Sequence, residues 1–434
     1  MTLPKILGVA VLSAALLAPP AQAAAPWSEP TAVPGSSGQS AGAPNVLETN
    51  TRGSAIAFNA PGSFPGAPLL RSVDGAPAAQ WPGAVNFDST FGAFAAADRI
   101  IYAGSDGERR VNVAIAPGPG NEWRVQKRGP STGGARVTTA AAPKHTVAAF
   151  STFGPGDIGS VYVVRQSGVN APGATERISG RGHIRSVAVA VNAAGDVLAA
   201  WDRSGTVESR MYSGRSHRWA AVKTLGKVTA AMHMSAAIGA DRRALVAWVD
   251  QPINEGGTNK AATFSVTART ATRGFAAAKQ VDVYPDLTIV GGTAVRAAYT
   301  SDGRGIVAWT GRSAVRAALV NGRSIGAPQD LGPAGADESQ DARGLYDLAV
   351  SPDGQAIVTM VAGLDSTNNQ VLAAPLAAGA TVFGPAEAVS AALPFAQQPS
   401  AAFDRQTGQF VVAWQVPSQG EVPNRVEVSQ RPAP

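Results

Sequence analysis

One short pattern occurs eight times along this chain. Each copy consists of an Ala/Val-rich run, a turn rich in Asp, Asn and Gly, and a second apolar run that ends in a large side chain. The clearest copies end at Trp201, Trp248, Trp309 and Trp414, and weaker copies end at Phe58, Tyr102, Phe150 and Met360. Successive copies are about 50 residues apart, and a repeat of that period constrains the architecture more than any other sequence signal.

The pattern inside each copy is that of a β-hairpin. Asp, Asn and Gly suit a tight turn, and the apolar run after it is typical of a strand covered on both faces. A third, alternating strand follows, as in 111–115, and a fourth begins at a large residue such as Trp219, Phe275 or Phe383. Four strands in about 50 residues make one propeller blade. The sequence therefore predicts an all-β, eight-bladed β-propeller of four-stranded antiparallel blades.

The two ends of the chain complement each other. The eighth copy stops after Arg431 without a fourth strand, whereas residues 27–33 form a fourth-strand pattern that precedes the first copy. Joining them predicts a ring closed by the N-terminal strand, which removes an exposed sheet edge. Seven blades are the alternative if residues 91–128, the poorest copy, do not form a full blade. A β-solenoid would leave the complementary half-repeats unexplained.

Side-chain size varies across each predicted blade. The first strands are rich in alanine, as at 140–142 and 401–402, which suits strands that converge on an axis. Four tryptophans end second strands, and each would bury on the order of 200 Å² in the wider space between blades. We predict that Trp201, Trp248, Trp309 and Trp414 are core residues, because equivalent positions in successive blades are scattered around a ring and do not converge on one ligand.

Residues 1–23 have the pattern of a secretory signal peptide: Lys5, an apolar stretch at 6–18, and Ala21-Gln22-Ala23 as the cleavage site. The apolar stretch is shorter than a bilayer-spanning helix of about 20 residues. The chain contains no cysteine, so disulfides and thiolate chemistry are excluded. We expect a secreted or cell-envelope protein without a membrane span after cleavage. Residues 24–434 would form one propeller domain, with the closing strand at 27–33 and a linker at 34–44.

The formal net charge is +6, and the arginines are scattered along the sequence. A nucleic-acid surface needs clustered cations together with stacking aromatic residues. The sequence therefore predicts no nucleic-acid partner. Weak attraction to an anionic cell wall or an acidic glycan stays open, and salt would reduce it.

Two kinds of connection are expected on one face of the propeller: those from second to third strand, and those from one blade to the next. We call this the loop face, and binding sites commonly lie on such loops because a rigid scaffold leaves them free to vary. His183 and His233 fall in consecutive inter-blade connections and are candidate ligand-binding residues. A zinc site would need a third ligand, and no zinc-binding spacing is present, so no metal site is predicted there.

An acidic cluster is the second candidate on the loop face. Asp337, Glu338 and Asp341, followed by Asp347, lie in one inter-blade connection, and Asp365 lies in the next connection. Several carboxylates in one loop suit Ca²⁺, although the spacing of a dedicated calcium loop is absent. The other interpretation is a solvated run of charges. No other cofactor is expected.

Short segments resemble blades of known families. Residues 402–408 resemble the tryptophan-docking repeat of quinoprotein dehydrogenases, although Trp414 follows too late. Ser301-Asp302-Gly303 and residues 351–354 resemble the Asp-box hairpins of sialidases, without the Ser-x-Asp-x-Gly-x-x-Trp spacing. As a whole, the chain resembles secreted bacterial β-propeller repeat proteins, and this resemblance implies architecture and no catalytic residues.

We therefore expect a secreted, non-catalytic binding or scaffold protein, monomeric, whose loop face binds a glycan, a cell-wall component or another protein. The alternative is an extracellular glycan-active hydrolase, sialidase-like or of another glycosidase type. That activity would require two loop carboxylates about 5–10 Å apart.

Overall fold

The computed structural model describes residues 26–34, 36–37, 45–47, 55–59, 68–72, 89–95, 99–105, 111–116, 124–127, 137–152, 158–167, 173–229, 231–251, 261–284, 295–311, 314–333, 346–363, 368–394, 397–418 and 424–433. Between residues 45 and 127, the described side chains are those of Val46 and Ile56. The predicted signal peptide, residues 1–23, lies outside the described residues.

The described part of the chain is all-β, with strands and turns and no helix, and therefore no helix that could cross a membrane. Its strands form eight antiparallel sheets, numbered here in chain order. Sheet 1 contains β2 (Asn45–Leu47), β3 (Ala55–Asn59) and β4 (Pro68–Ser72). Sheet 2 contains β5 (Ser89–Ala95), β6 (Arg99–Ser105), β7 (Val111–Ala116) and β8 (Arg124–Lys127). Sheet 3 contains β9 (Val137–Ala142), β10 (His145–Ser151), β12 (Val161–Ser167) and β13 (Glu176–Arg177). Sheet 4 contains β11 (Ile158–Gly159), β14 (Gly182–Val191), β15 (Val197–Arg203), β16 (Thr206–Ser213), β17 (Arg218–Trp219) and β18 (Lys223–Lys227).

The remaining four sheets repeat the same meander. Sheet 5 contains β19 (Ala231–Ile238), β20 (Ala244–Asp250), β21 (Ala262–Arg269) and β22 (Lys279–Tyr284). Sheet 6 contains β23 (Val295–Tyr299), β24 (Arg304–Thr310), β25 (Ala314–Asn321), β26 (Ser324–Ile325) and β27 (Gln329–Pro333). Sheet 7 contains β28 (Tyr346–Val350), β29 (Ala356–Gly363), β30 (Asn368–Leu376), β31 (Glu387–Ala388) and β32 (Leu393–Pro394). Sheet 8 contains β33 (Gln397–Asp404), β34 (Gln409–Val416), β35 (Arg425–Pro432) and β1 (Thr31–Ala32).

The fourth strand of sheet 8 comes from the N-terminal part of the chain. Thr31 pairs with Val428 and Ala32 pairs with Glu427. The backbone N–H of Val33 extends this ladder with a 2.8 Å hydrogen bond to Val426 O. This is the pairing that the complementary half-repeats predict. Ser36, within the predicted linker, is buried and its Oγ accepts a 3.1 Å hydrogen bond from the backbone N–H of Val426.

The first strands of the sheets lie side by side. Each contacts the first strand of the next sheet, and β33 of sheet 8 contacts β2 of sheet 1. The turns between first and second strands also adjoin: Asn192 Nδ2 donates to Gly239 O at 3.0 Å, and Arg243 Nη1 donates to Gly303 O at 2.9 Å. These turns lie at the end of the sheets opposite the loop face, and we call that end the turn face. The arrangement is that of a β-propeller.

The core lies between neighbouring sheets. Trp201, Trp309 and Trp414 are fully buried and Trp248 is nearly so, which confirms their predicted role as core residues. Each belongs to a buried cluster that includes side chains of the preceding sheet. Sheets 8 and 1 share a cluster of the same kind, in which Ile56 of β3 lies with Val411 and Val426 of sheet 8.

Two of the fourth strands begin later than the sequence predicts. Phe275 and Phe383 each precede the fourth strand by four residues, and Trp219 lies in a two-residue strand that is separated from β18. The reason is local: Gly384 N–H bonds to Pro375 O at 2.7 Å, and then Pro385 supplies no N–H for a ladder. A large apolar residue therefore docks the outer segment on the sheet before regular pairing starts.

Candidate functional site

One of the two predicted ligand-binding histidines lines a cavity on the loop face. The cavity has a volume of about 330 Å³ and is bordered by His183, Arg185, Ser204, Gly205 and Thr229. His183 and Arg185 alternate along the start of β14, so both side chains are exposed while Ile184 between them is buried. The period-two geometry of the strand thus places an imidazole and a guanidinium side by side.

The walls of this cavity are held by hydrogen bonds between elements. Ser204 Oγ accepts from the backbone N–H of His183 at 3.1 Å, and Ser204 N–H donates to His183 O at 2.8 Å. Ser204 has a φ of 50° and Gly205 one of 80°, so the tight turn from β15 to β16 uses the left-handed region twice. The turn is therefore fixed against β14.

Arg185 is tied to the segment that leads into sheet 5. Its Nη1 donates a 3.0 Å hydrogen bond to Thr229 O, and Thr229 N–H in turn bonds to both carboxylate oxygens of Asp250 at 3.0 Å. The guanidinium is thereby oriented on the rim of the cavity. Imidazole, guanidinium and hydroxyl groups together offer hydrogen bonds to a hydroxylated ligand.

His233 lies in the first strand of the adjacent sheet. It pairs with Val249 within β19, next to a register shift after Ala231, and it is half-buried. Both histidines therefore lie in first strands, whereas the sequence analysis placed them in inter-blade loops. The connections are shorter than expected because β14 and β19 begin early. Their participation in ligand binding stays a prediction.

The predicted acidic cluster falls mostly on residues that the structure does not describe: Asp337, Glu338, Asp341 and Asp365 lie outside the described residues. Asp347, which follows them, is described. Its Oδ1 accepts a 3.2 Å hydrogen bond from Arg296 Nε, and its Oδ2 accepts from Ser400 Oγ at 3.1 Å and Ala401 N–H at 3.0 Å. Both oxygens of Asp347 are therefore engaged by protein donors. In the described ranges, no group of three metal-ligating side chains comes together.

The first strands surround a central channel. Its described walls, in sheets 3 to 7, enclose about 430 Å³ and are lined largely by the small residues that the sequence placed at the axis. Arg296 is the prominent exception, with 43% of its side chain exposed. Burial acts to lower the pKa of Arg296, but the charge of Asp347, the charge of Tyr346 and the hydrogen bond to Asp347 together outweigh it, and the pKa lies above its ordinary value.

Arg296 was missed by the sequence analysis, although a signal for it exists. Trp309 pairs with Val295, the residue before Arg296, and Met360 pairs with Tyr346, the residue before Asp347. Ser400 pairs with the residue before Trp414, so all three side chains lie opposite the position that precedes the large residue. Arg296, Asp347 and Ser400 therefore occupy the same position relative to the large residue that ends each second strand. Aligning the copies on that residue would have placed the three side chains at one level of the channel.

The two other histidines border a small cavity of about 50 Å³ between sheets 3 and 4. His145 Nδ1 lies 2.9 Å from Ser167 Oγ, and His217 Nδ1 lies 3.2 Å from the hydroxyl of Tyr212. Burial, and secondarily the charge of Lys144, lowers the pKa of His145. This space is large enough for water and too small for a sugar ring.

No family model and no curated protein matches this sequence. Among solved structures, a protein of unknown function from Dyadobacter fermentans is similar over 94% of this chain and 99% of its own, with 12% identity and a TM-score of 0.46. A puromycin hydrolase is similar over 87% of this chain and 58% of its own, with 17% identity and a TM-score of 0.47. The six-bladed β-propeller lectin from Aleuria aurantia is similar over 66% of this chain and 96% of its own, with 12% identity and a TM-score of 0.37. Likenesses at this level assign no ligand, substrate or residue role to this chain.

Proposed function

We propose that this chain is an exported, eight-bladed β-propeller, closed by its N-terminal strand, that acts as a non-catalytic binding protein. Eight sheets, the contact between β33 and β2, and the pairing of Thr31 with Val428 support the closed ring. Export is supported by the signal-peptide pattern of residues 1–23.

The loop-face cavity at His183 is the observation that carries the binding role. His183 and Arg185 are exposed on a strand, and the turn at Ser204 is fixed against that strand by two hydrogen bonds. A site with rigid walls loses little conformational entropy when a ligand binds. Its polar groups donate and accept hydrogen bonds, and the five residues that border it include no carboxylate. We therefore propose a glycan, recognised through its hydroxyl groups, as the ligand.

The test is binding of the purified mature chain to an array of neutral glycans and to cell-wall fractions, with and without EDTA. Variants His183→Ala and Arg185→Gln are compared with His217→Asn. His217 is an exposed histidine of the turn face with a φ of 55°, a conformation that asparagine tolerates. We expect the two loop-face variants to weaken binding by about tenfold each, as for loss of one hydrogen bond to the ligand, and the control to leave it unchanged.

Equal binding by all three variants would contradict a site at His183. Release of soluble sugar from any fraction would instead favour the glycan-hydrolase alternative, and capture of a protein without any glycan binding would overturn the choice of ligand. Binding that EDTA abolishes would support a Ca²⁺ site on the loop face.

A further inference from the structure

Cationic side chains that are scattered in the sequence gather on the turn face of sheets 4 to 6. The group has six arginines, of which Arg269 is half-buried and the other five are exposed. The group, called here the arginine patch, comprises Arg215, Arg218, Arg242, Arg269, Arg273 and Arg323. They come from turns and strand ends of three successive sheets, so no run of basic residues marks them in the sequence.

Contacts between these turns bring the patch together. Arg242 Nε lies 3.6 Å from Oδ1 of Asp196, and the same oxygen accepts a 3.0 Å hydrogen bond from Gly214 N–H, next to Arg215. Arg269 of sheet 5 packs on Met211, which lies just before that same turn of sheet 4.

The patch extends into sheet 6. Arg323 Nη2 donates a 3.5 Å hydrogen bond to Phe275 O, and Phe275 lies two residues from Arg273. The patch thus spans three neighbouring sheets as one surface.

The positive charge of the patch is poorly compensated. Among the described residues, Arg242 alone of the six has a carboxylate within 4 Å, and that carboxylate belongs to the buried Asp196. Burial, and then the like charge of Arg242, lowers the pKa of Arg269. Like charges held close together on a surface destabilise the folded state and attract anions. A partner that supplies several negative charges would relieve this repulsion.

The neighbouring aromatic rings argue against a nucleic acid. Trp219 Nε1 is bonded to Glu176 Oε2 at 2.8 Å, and its ring packs edge-on against Tyr212. The face of Tyr212 is covered by the Arg165 guanidinium, 3.5 Å from the ring centroid. In proteins that bind single-stranded nucleic acids, bases stack on free aromatic faces, and this face of Tyr212 is occupied.

We propose that the arginine patch binds an acidic polysaccharide whose repeating carboxylates pair with the guanidinium groups. A guanidinium presents a planar fork of donors that matches a carboxylate. Because the six groups are spread over three sheets and do not converge on one cavity, a chain of regularly spaced anions fits them better than a small anion. This surface is opposite the loop-face site, so a result that contradicts one of the two proposals does not contradict the other.

The experiment measures binding of the full mature chain to polygalacturonate in low salt, with the fully methyl-esterified polymer and duplex DNA as further probes. The test variant carries Arg215→Gln, Arg273→Gln and Arg323→Gln. The matched control carries Arg177→Gln, Arg181→Gln and Lys227→Gln, which remove the same charge from exposed positions on the loop side. A cooperative thermal unfolding transition establishes that each variant is folded. If the triple variant is not folded, the single variant Arg273→Gln replaces it as the test variant.

We expect polygalacturonate to bind in a salt-sensitive manner, and we expect the test variant to lose about tenfold or more in affinity for it. Any binding of the esterified polymer should be the same for the wild type and the test variant, because an uncharged chain does not use the arginine patch. The control variant should stay within about twofold of the wild type. An equal loss in the control, binding of the uncharged polymer that the test variant loses as well, or tighter binding of DNA than of polygalacturonate at the same ionic strength would each overturn the proposal.

Discussion

The hydroxyl of Ser400 donates a 3.1 Å hydrogen bond to Oδ2 of Asp347, joining the first strands of sheets 8 and 7. The same hydroxyl accepts the backbone N–H of Val46 in sheet 1 at 3.0 Å, and Arg296 of sheet 6 bonds to the other oxygen of Asp347. A polar relay thus links four successive first strands and crosses from the C-terminal part of the chain to the N-terminal part. It supplies specific pairing along a channel wall that is lined largely by small side chains.

Removing the carboxylate at the centre of this relay should be costly. Asp347→Ala leaves the buried hydroxyl of Ser400 and the backbone N–H of Ala401 without their acceptor, and a buried donor that loses its partner costs roughly 1–3 kcal/mol. We therefore expect the free energy of unfolding in urea to fall by about 2 kcal/mol. The control is Asp353→Ala, an exposed turn carboxylate, with a change below about 0.5 kcal/mol. Equal effects of the two substitutions would mean that the relay contributes nothing.

A second prediction concerns pH. Burial acts to raise the pKa of Asp282, but hydrogen bonds from Tyr284, Trp309 and Arg316, with the charge of Arg316, outweigh it and lower the pKa. A carboxyl with a lowered pKa stabilises the folded state above its unfolded pKa of about 4, and this stabilisation is lost as the pH falls through the folded pKa.

Asp282→Asn should therefore be less stable than the wild type at pH 7 by about 1–2 kcal/mol, with a difference that shrinks below about pH 4. Urea unfolding at pH values from 7 to 3 measures it. A difference that is constant over this range would show that the charge of Asp282 is not what the network stabilises.

A third prediction uses the close approach of two sheets at a glycine. A Cβ atom at Gly311 would lie 2.1 Å from the hydroxyl oxygen of Tyr284. That hydroxyl is bonded to Asp282 at 2.6 Å, and the ring packs edge-on against Phe264, so Tyr284 has little freedom to move. Gly311→Ala should lower the free energy of unfolding by about 2 kcal/mol, within the range for overpacking.

The matched control for that substitution is Gly274→Ala, where nothing lies within 4 Å of the added atom. In a Tyr284→Ala background, Gly311→Ala should cost much less, because its obstacle is gone. A cost that persists in that background would place the constraint in the backbone of Gly311.

The parts of the fold that depend on local pattern could be predicted from the sequence. Turn residues followed by an apolar run predicted the hairpins. The large residue at the end of each run predicted the core positions Trp201, Trp248, Trp309 and Trp414. The pairing of the N-terminal segment with the last strand followed from counting strands, whereas its register did not. The onset of β22 and β31 could not be predicted in this way, because Phe275 and Phe383 pack on the sheet before regular pairing begins.

The candidate sites depended on contacts that a linear pattern does not reveal. His183 was found as a polar residue near a connection, but its neighbours Ser204 and Thr229 come from elements that only the sheet register brings together. Arg215, Arg242 and Arg273 lie in separate turns, and along the sequence they are scattered arginines. Their proximity follows from the alignment of turns between adjacent sheets, which no single repeat encodes.

The central claim is that the N-terminal segment completes the last sheet and closes the ring. Val33 and Val426 form a hydrogen-bonded pair, so Ala32 and Glu427 form the adjacent non-hydrogen-bonded pair. The Cα atoms of such pairs are about 4.5 Å apart, within disulfide range. Because the chain has no cysteine, Ala32→Cys with Glu427→Cys introduces the only two thiols.

The measurement is disulfide formation in the oxidised, monomeric double variant, followed by gel mobility and free-thiol titration, with Ala32→Cys and Gln406→Cys as the control pair. The closed ring predicts a complete intramolecular disulfide in the first variant and free thiols in the control. Free thiols in both variants, or crosslinks only between chains, would contradict it.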